Sequence, residues 1–295
     1  MKISIITPSF NSADYIERAI KSVLEQKYDN FEHIIVDGAS TDDTVKILKK
    51  YTHLKWISEP DNGQADAMNK GFGLCSGDII VYLNCDDYFL PKAFESIVPH
   101  FNNGSKFVVG NIILQTLDKK EFLIKPNIEY KKMLKHWENS SFPNNPVQYF
   151  YAKEVQERFP FNIQNKKTMD LEFLCDAASF YQFDKIDATL GVYPLLEDAV
   201  SVRAQKEPYY WSFETFSFLD KHLLNFTKDE ILEFKKEQQL AYLNRTLQTV
   251  YDQSEDVKYK SILSAYKNLI KYRAIISPFK KIKAYKDLLK AFSKI

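Results

Sequence analysis

Short apolar segments recur along the first 90 residues, and each is followed by a polar loop. They lie at 3–6, 33–36, 54–57 and 79–83. Runs of this length without polar alternation are typical of strands buried on both faces of a parallel sheet. Between them, segments such as 14–26 place apolar residues at helical spacing. Strands that alternate with helices across short loops predict an α/β fold with a doubly wound parallel sheet.

Three polar loops follow predicted strands, at 9–11, 37–43 and 84–87. Loops after parallel strands share one rim, where open α/β sheets bind ligands. Asn84, Asp86 and Asp87 offer oxygen ligands for a hard cation, and Mg²⁺ usually combines one or two carboxylates with substrate phosphates. A nucleotide diphosphate site is therefore predicted here. The alternative is that the acidic pair caps a helix or faces solvent; acidic residues at a second strand end, including Asp37, weigh against it.

Two common nucleotide-binding motifs are missing from the chain. No GxGxxG follows the first strand, and no GxxxxGK[ST] occurs anywhere, which excludes the usual dinucleotide and P-loop classes. A diphosphate would then be held by a metal rather than by a glycine-rich loop. A nucleotidyltransferase stays open as an alternative, although the glycine-rich basic loop expected after its first strand is missing.

Composition narrows the class of protein further. A chain of 295 residues can bury a large core, and the net charge of +1 does not suggest a nucleic-acid binder. Cys75, Cys85 and Cys175 are too scattered for a disulfide framework or a zinc site, so we expect a reducing cytoplasm. No segment approaches the roughly 20 apolar residues that a membrane span needs, and any membrane contact is predicted to be peripheral.

Later segments extend the α/β pattern. We expect a helix at 91–101 with Pro91 in its first turn, a hairpin or sheet extension from 107–112 and 121–124, and a loop at 139–146 before 147–150. A further helix opens at Met169, with Asp170 in its first turn. Taken alone, Asp170 could simply complement the helix dipole.

Beyond Lys206 the pattern is helical. A capping box at 227–230 opens a helix, and helical spacing continues through 240–251 and 262–272. Residues 279–295 are predicted to form a basic amphipathic helix that can lie on an anionic bilayer. The alternative is that this helix packs onto the rest of the chain or onto a second subunit, as in a homodimer. An aromatic group is interpreted as core or interdomain filler rather than a sugar-stacking platform: Tyr209, Tyr210, Trp211, Phe213, Phe216 and Phe218.

Four segments in order, 5–11, 36–42, 59–71 and 77–87, resemble family 2 glycosyltransferases of the GT-A type over about residues 1–200. The resemblance implies a mixed, mainly parallel sheet flanked by helices, with a helical C-terminal extension. The expected domains are 1–203, made of a nucleotide half (about 1–110) and an acceptor half (about 111–203), and a helical region at 204–295.

The resemblance also implies roles for single residues. Asp86 is the principal metal ligand, with Asn84 and Asp87 nearby, and Asp170 is the catalytic base. The implied acceptor contacts are Gln148 and Glu172. The implied nucleotide contacts are Thr7, Pro8, Phe10, Asn11, Asp37, Asp66, Lys70, Asn84 and Cys85.

The function implied is inverting transfer from a UDP-sugar, with Mn²⁺ or Mg²⁺, to a glycan or lipid-linked oligosaccharide. Such enzymes build bacterial surface polysaccharides, O-antigen among them, in the cytoplasm or at the inner face of the membrane. The chain departs from the family at Met169, where Glu is usual, and at Pro194 and Leu196, where Arg and His are frequent. Lys70, Arg203 or a C-terminal basic residue could compensate. The departures leave an inactive partner of a polysaccharide assembly complex as the alternative.

Overall fold

The computed structural model describes residues 1–135, 142–196 and 216–251. The chain forms two compact units, Met1–Met133 with Asn139–Leu196, and Leu134–Glu138 with Glu197–Ile295. Several predictions lie outside the described residues: Arg203, the domain boundary at 203, most of the aromatic group at 209–218, and the helices at 262–272 and 279–295. The start of the predicted 139–146 loop also lies outside them.

The first unit holds a sheet of nine described strands in the order β3-β2-β1-β4-β8-β6-β9-β5, with β7 paired to β6. The four strands predicted from apolar runs are β1–β4, and they pair in parallel. The other strands pair in both directions, so the sheet as a whole is mixed. The expected α/β class is confirmed, and the continuous parallel part of the sheet consists of these four strands. The bounds are β1 Ile3–Ser9, β2 Phe31–Asp37, β3 Lys55–Ser58, β4 Ile79–Tyr82, β5 Tyr88–Phe89, β6 Phe107–Gln115, β7 Glu121–Ile124, β8 Tyr149–Ala152 and β9 Phe183–Pro194.

Helices flank this sheet. α4 begins two residues after Pro91 because Lys92 has φ 69°, outside the helical region. The bounds in the first unit are α1 Ile16–Leu24, α2 Thr44–Leu48, α3 Gln64–Leu74, α4 Ala93–Asn102, α6 Lys153–Arg158 and α7 Met169–Ala178. α5 Tyr130–Leu134 lies where the first unit gives way to the second along the chain, and α8 Lys228–Tyr251 belongs to the second unit.

The apolar spacing of α1 explains how it covers the sheet. Ile16, Ile20 and their neighbours at helical spacing are fully buried, and they pack with Ile35 of β2 and Leu48 of α2. α3 buries Ala65, Ala67, Met68 and Gly71. Phe72 is only half-buried, and Gly71 takes the inner position.

The strand order creates a crevice beside β1. The chain moves from β1 outward to β2 and β3, then returns to place β4 on the opposite side of β1. Ligands bind at such a switch point, outside the carboxyl ends of the strands. The loops after β1 and β4 flank this crevice.

The mixed half of the sheet brings a second segment to the same rim. β8 runs antiparallel to β4, with Ile79 opposite Ala152 and Ile80 opposite Tyr151. Tyr149, at the start of β8, therefore lies beside the carboxyl end of β4. The long strand β9 pairs with β6 and β5. Its many half-exposed polar positions explain why the apolar pattern did not predict it.

The second unit is helical where it is described. A 3₁₀ segment spans Ser217–Asn225 and α8 follows. The predicted capping box is confirmed, since the Glu230 carboxylate accepts from Thr227 N at 2.9 Å and Glu230 N donates to Thr227 Oγ1 at 3.3 Å. Across the three described ranges, no helix combines the length and apolar character needed to cross a bilayer.

Candidate active site

The loop after β4 holds a carboxylate completely inside the protein. Asp87 has no exposed surface, and its Oδ2 atom accepts hydrogen bonds from Asn84 Nδ2 and Asn145 Nδ2, both at 2.9 Å. Its Oδ1 atom has no hydrogen-bond partner within the described part of the chain. A buried carboxylate oxygen without a partner is costly unless something binds it. The loop therefore has the features of a cation site.

Asp86 lies next to this buried group and is partly exposed. Its carbonyl oxygen accepts a hydrogen bond from Arg18 Nη2 at 2.7 Å, and the Arg18 guanidinium lies 4.5 Å from the centre of the Tyr88 ring. A side chain of α1 thus fixes the backbone of the loop at Asp86.

The electrostatics of the loop suit a divalent cation. Burial raises the pKa of Asp86, and burial together with the neighbouring Asp86 charge raises the pKa of Asp87 well above its ordinary value. Asn84 adds an amide oxygen, which accepts from Gln64 Nε2 at 3.1 Å. Among the described residues no group of three or more His, Cys, Asp or Glu suits a metal. Two carboxylates and an amide fit a cation that completes its shell with substrate phosphates.

Cys85 sits within the loop but turns inward. Its sulfur accepts a hydrogen bond from Ser12 Oγ at 3.0 Å, and the residue packs against the apolar cluster that includes Ile16 and Ile35. Burial, with the nearby charge of Asp86, raises the pKa of the Cys85 thiol to about 12. The thiol stays protonated at neutral pH, and the predicted nucleotide contact of Cys85 stays a prediction.

The loops after β1 and β2 are joined to each other. Asn11 N donates to Ser40 Oγ at 2.8 Å, and Asn11 Oδ1 accepts from Thr41 N at 2.9 Å. Next to this junction the Phe10 side chain is 63% exposed. A Cβ atom on Gly38 would lie 2.7 Å from Asp61 Oδ2 and 3.5 Å from the Phe10 ring. Gly38 therefore lets the Asp61 carboxylate approach the backbone beside the exposed Phe10 ring.

Asp37, at the end of β2, forms hydrogen bonds with other residues of the protein. Its carboxylate is fully buried, binds the Ser40 hydroxyl, and accepts from Ser40 N at 3.0 Å and Ser58 Oγ at 2.6 Å. Thr7 and Pro8 are also buried in β1, and Thr7 Oγ1 shares a 3.0 Å hydrogen bond with His33 Nε2. The structure thus gives Asp37 a loop-holding role, and the nucleotide contacts of all three residues stay predictions.

Asp66 and Lys70 organise the start of α3. Asp66 Oδ2 accepts from Asn62 N at 2.9 Å, and this bond lowers the pKa of Asp66. Lys70 Nζ lies 2.9 Å from a Glu59 carboxylate oxygen and donates to the Pro60 carbonyl oxygen at 3.1 Å. Lys70 is therefore held by the 59–66 segment, and the predicted nucleotide contacts of Asp66 and Lys70 stay predictions, as does the compensating role of Lys70.

Asp170 lies in the first turn of α7 and is partly exposed. Enclosure by the surrounding protein raises the pKa of its carboxyl group, although Leu171 N donates to it at 2.8 Å. The negative charge of Asp170 contributes, after burial, to the raised pKa of the Tyr149 hydroxyl. The Asp170 carboxylate is therefore near the Tyr149 side chain, and its role as the base stays a prediction.

The two predicted acceptor contacts differ in their surroundings. Gln148 is fully buried, its Oε1 accepts from Asn144 N at 2.9 Å, and its Nε2 has no partner among the described residues. Glu172 is buried and accepts from Asn165 Nδ2 at 2.8 Å and Asn162 Nδ2 at 3.2 Å. Glu172 thus holds the loop ahead of α7, and its acceptor contact stays a prediction.

Four residues that support the site were not predicted from the sequence: Arg18, Ser40, Gln64 and Asn145. Asn145 carries a local signal, since an Asn before a Pro is a common start of a helical turn. Nothing local indicates that Asn145 reaches Asp87, 58 positions away. Arg18 likewise appears as an ordinary polar residue on the outer face of α1.

Comparison with known proteins places this arrangement in a family. The model of Glycosyl transferase family 2 matches residues 4–189, more than half of the chain. The Bacillus subtilis putative teichuronic acid biosynthesis glycosyltransferase TuaG is 41% identical over 99 residues, which are 32% of this chain and 39% of that protein. Curated relatives that are 36% to 44% identical are matched over only 34% to 39% of their own length.

Two further similarities cover most of the chain. A Campylobacter jejuni GalNAc(5)-diNAcBac-PP-undecaprenol beta-1,3-glucosyltransferase is 26% identical over 254 residues, 80% of this chain and 78% of that protein. The crystal structure of S. aureus TarS 1–349 in complex with UDP-GlcNAc matches with a TM-score of 0.65 and 18% identity, over 100% of this chain and 92% of that one. This second likeness supports the fold.

Proposed function

Because the chain belongs to glycosyl transferase family 2, we propose that it transfers a sugar from a UDP-sugar to a hydroxyl group of a glycan acceptor, with inversion at the anomeric carbon. The observation that carries the proposal is the 84–87 loop, where Asp87 is buried with an unpartnered Oδ1 and Asp86 lies beside it. A charged pair of this kind suits a diphosphate and its cation. The TarS complex with UDP-GlcNAc supports UDP as the nucleotide.

Asp86, Asn84 and Asp87 are the residues that would hold Mn²⁺ or Mg²⁺. When bound, such a cation neutralises negative charge on the departing diphosphate. Arg18 fixes the backbone of this loop through the Asp86 carbonyl oxygen. The exposed Phe10 ring offers a surface on which the base of the nucleotide would stack, and Asp37 keeps the neighbouring loop in position.

Asp170 is the proposed general base. It accepts the proton of the acceptor hydroxyl while the acceptor oxygen forms a bond to the anomeric carbon and the bond to the diphosphate oxygen breaks. An enclosed carboxylate with a raised pKa is a stronger proton acceptor than an exposed Asp. Gln148 and Glu172 are kept as acceptor-side residues, Gln148 because its buried Nε2 has no described partner.

The acceptor is proposed to be a lipid-linked glycan in surface polysaccharide synthesis. The name of the Campylobacter relative describes an undecaprenyl-diphosphate acceptor, and the name of TuaG refers to teichuronic acid. The enzyme would work at the cytoplasmic face of the membrane. The basic residues of 279–295 would contact anionic lipid there, or pack in a homodimer, and the catalytic domain would end near residue 203.

A screen of UDP-sugars tests the proposal. Release of UDP by slow hydrolysis is measured with Mn²⁺ for the full chain, for Asp86→Ala and for Asp170→Asn. Asp86→Ala should lose metal-dependent UDP binding as well as rate, whereas Asp170→Asn should lose rate alone. Asp29→Asn, at an exposed position, is the matched control. If no UDP-sugar is hydrolysed and calorimetry detects no metal-dependent UDP binding, the inactive-partner alternative replaces the proposal.

A further inference from the structure

A single buried amide connects the loop before β8 to the loop after β4. Asn145 is 5% exposed, and its Oδ1 accepts from Val147 N at 2.8 Å at the start of the 3₁₀ turn Pro146–Gln148. Its Nδ2 donates to Asp87 Oδ2 at 2.9 Å. Both ends of the amide are thus used, one within its own turn and one across 58 positions.

The capping bond fixes which way the amide faces. Only the oxygen of an Asn side chain can accept from a backbone N–H. Since Val147 N requires Oδ1, the NH₂ group of Asn145 must point to Asp87. With Asn84 as second donor, Asp87 Oδ2 has two hydrogen bonds, and Oδ1 is the oxygen without a partner.

We propose that Asn145 is a positioning residue for the divalent cation. It holds Asp87 by Oδ2 and so keeps Oδ1 free, in a fixed orientation, for the cation or a water molecule bound to it. The inference rests on the proposed function, because it assumes a metal-dependent nucleotide site at this loop. Hydrogen-bond partners of metal ligands typically change metal affinity or activity by about 10- to 100-fold when removed.

The same turn connects the cation site to the acceptor side. Gln148 N donates to the Asn145 carbonyl oxygen at 3.0 Å. The next residue is Tyr149, and burial followed by the charge of Asp170 raises the pKa of its hydroxyl. Asn145 therefore holds the turn that carries Gln148, a proposed acceptor-side residue, as well as Asp87.

Three variants separate these roles. Asn145→Ala removes both bonds, while Asn145→Ser keeps a capping oxygen but is too short to reach Asp87. Asn144→Ala is the matched control, since the Asn144 side chain is exposed and its backbone bond to Gln148 is retained. Mn²⁺ binding is measured on the full chain with saturating UDP from the electron paramagnetic resonance signal of free Mn²⁺. Thermal unfolding of each variant is recorded alongside.

We expect Mn²⁺ to bind about 10- to 100-fold more weakly to Asn145→Ala and Asn145→Ser, and unchanged to Asn144→Ala. In an Asp87→Asn background, Asn145→Ala should have a much smaller additional effect, because its action passes through Asp87. Mn²⁺ affinity restored by Ser would overturn the inference and leave only a capping role, as would equal affinity in all three variants. If the unmodified chain itself binds no Mn²⁺ with UDP, the proposed function fails instead.

Discussion

Arg18 and Asp86 are 68 positions apart in the chain, yet the Arg18 guanidinium donates to the Asp86 carbonyl oxygen at 2.7 Å. The same guanidinium lies over the Tyr88 ring. α1 therefore does more than cover the sheet, because its exposed side also fixes the backbone that carries the proposed metal ligand.

Replacing Arg18 with Gln should reduce kcat/KM without unfolding the protein. A hydrogen bond from a charged group contributes about 1.5–3 kcal/mol. Because Arg18 is exposed, its contribution is smaller, and we expect kcat/KM to fall by about fivefold. Arg158→Gln is a matched control, since the described contacts of Arg158 are with the Phe159 and Phe180 rings. UDP release measured for both variants should fall only for Arg18→Gln; an equal fall in both would contradict the role given to Arg18.

Asp170→Asn should lower kcat by about 10²- to 10⁴-fold, the usual contribution of a general base, with UDP affinity unchanged. In the unmodified chain the rate should fall as pH drops through the pKa of Asp170, which lies above its ordinary value. Full turnover in Asp170→Asn would remove the assignment of the base.

The same residue has an effect on stability with a definite sign. A raised pKa means that the folded state favours protonated Asp170, so this contribution to stability is present at low pH and lost as pH rises through the folded-state pKa. Asp170→Asn should therefore melt at a higher temperature than the unmodified chain at pH 8, and the difference should shrink in acid. A lower melting temperature at pH 8 would indicate that the carboxylate has a stabilising partner.

Three of the four strands in the first half of the fold could be predicted because each is a buried apolar run; β3 was also predicted, although the structure leaves its residues exposed or half-buried. β1, β2 and β4 are buried on both faces, which leaves no alternation and produces a clear signal. β9 could not be predicted in this way, since half-exposed polar residues interrupt it. The predicted hairpin of 107–112 with 121–124 is confirmed by β6 and β7, whereas the pairing of β9 with β6 and β5 joins distant segments that no local pattern indicates.

The candidate site shows the same division. Oxygen-rich side chains at a strand end made the 84–87 loop predictable from the sequence. The supporting contacts were not, because Asn145 and Arg18 reach it from 58 and 68 positions away. For Asp37 the sequence predicted a nucleotide contact but not the partners that the carboxylate has inside the protein. Its oxygens accept hydrogen bonds from Ser40 and Ser58, and the nucleotide contact stays a prediction.

His33 should make the protein sensitive to acid. It is fully buried, and burial, with the charge of His53 nearby, lowers the pKa of His33 to about 3. The unfolded chain, with a pKa near 6.5, binds a proton more readily than the folded one between about pH 6.5 and 3. Stability should therefore decrease as pH falls through this window, by up to about 1.4 kcal/mol per pH unit.

His33→Gln should flatten this dependence, since Gln can still bond to Thr7 but does not titrate. His100→Gln, at a half-exposed position of α4, is the control and should keep the slope. Urea unfolding at several pH values measures it. If the free energy of unfolding changed with pH equally in His33→Gln and the unmodified chain, the acid sensitivity would belong to other groups. His53 is one of these, because burial also lowers its pKa.

Two glycines of α3 provide a matched test of how this helix packs on the sheet. A Cβ atom at Gly71 would lie 2.4 Å from Ile6 Cγ2 and 3.2 Å from Val36 Cγ2, whereas one at Gly73 would meet nothing within 4 Å. Gly73→Ala should stabilise the protein by about 0.5–1 kcal/mol through helix propensity, while Gly71→Ala should destabilise it by about 1–3 kcal/mol because α3 must move off β1 and β2.

Since α3 carries Gln64, which bonds to Asn84, Gly71→Ala should also weaken UDP binding, and Gly73→Ala should not. Chemical unfolding and calorimetry on the two variants measure both effects; a gain in stability for Gly71→Ala would mean that α3 packs less closely on β1 than the distances indicate.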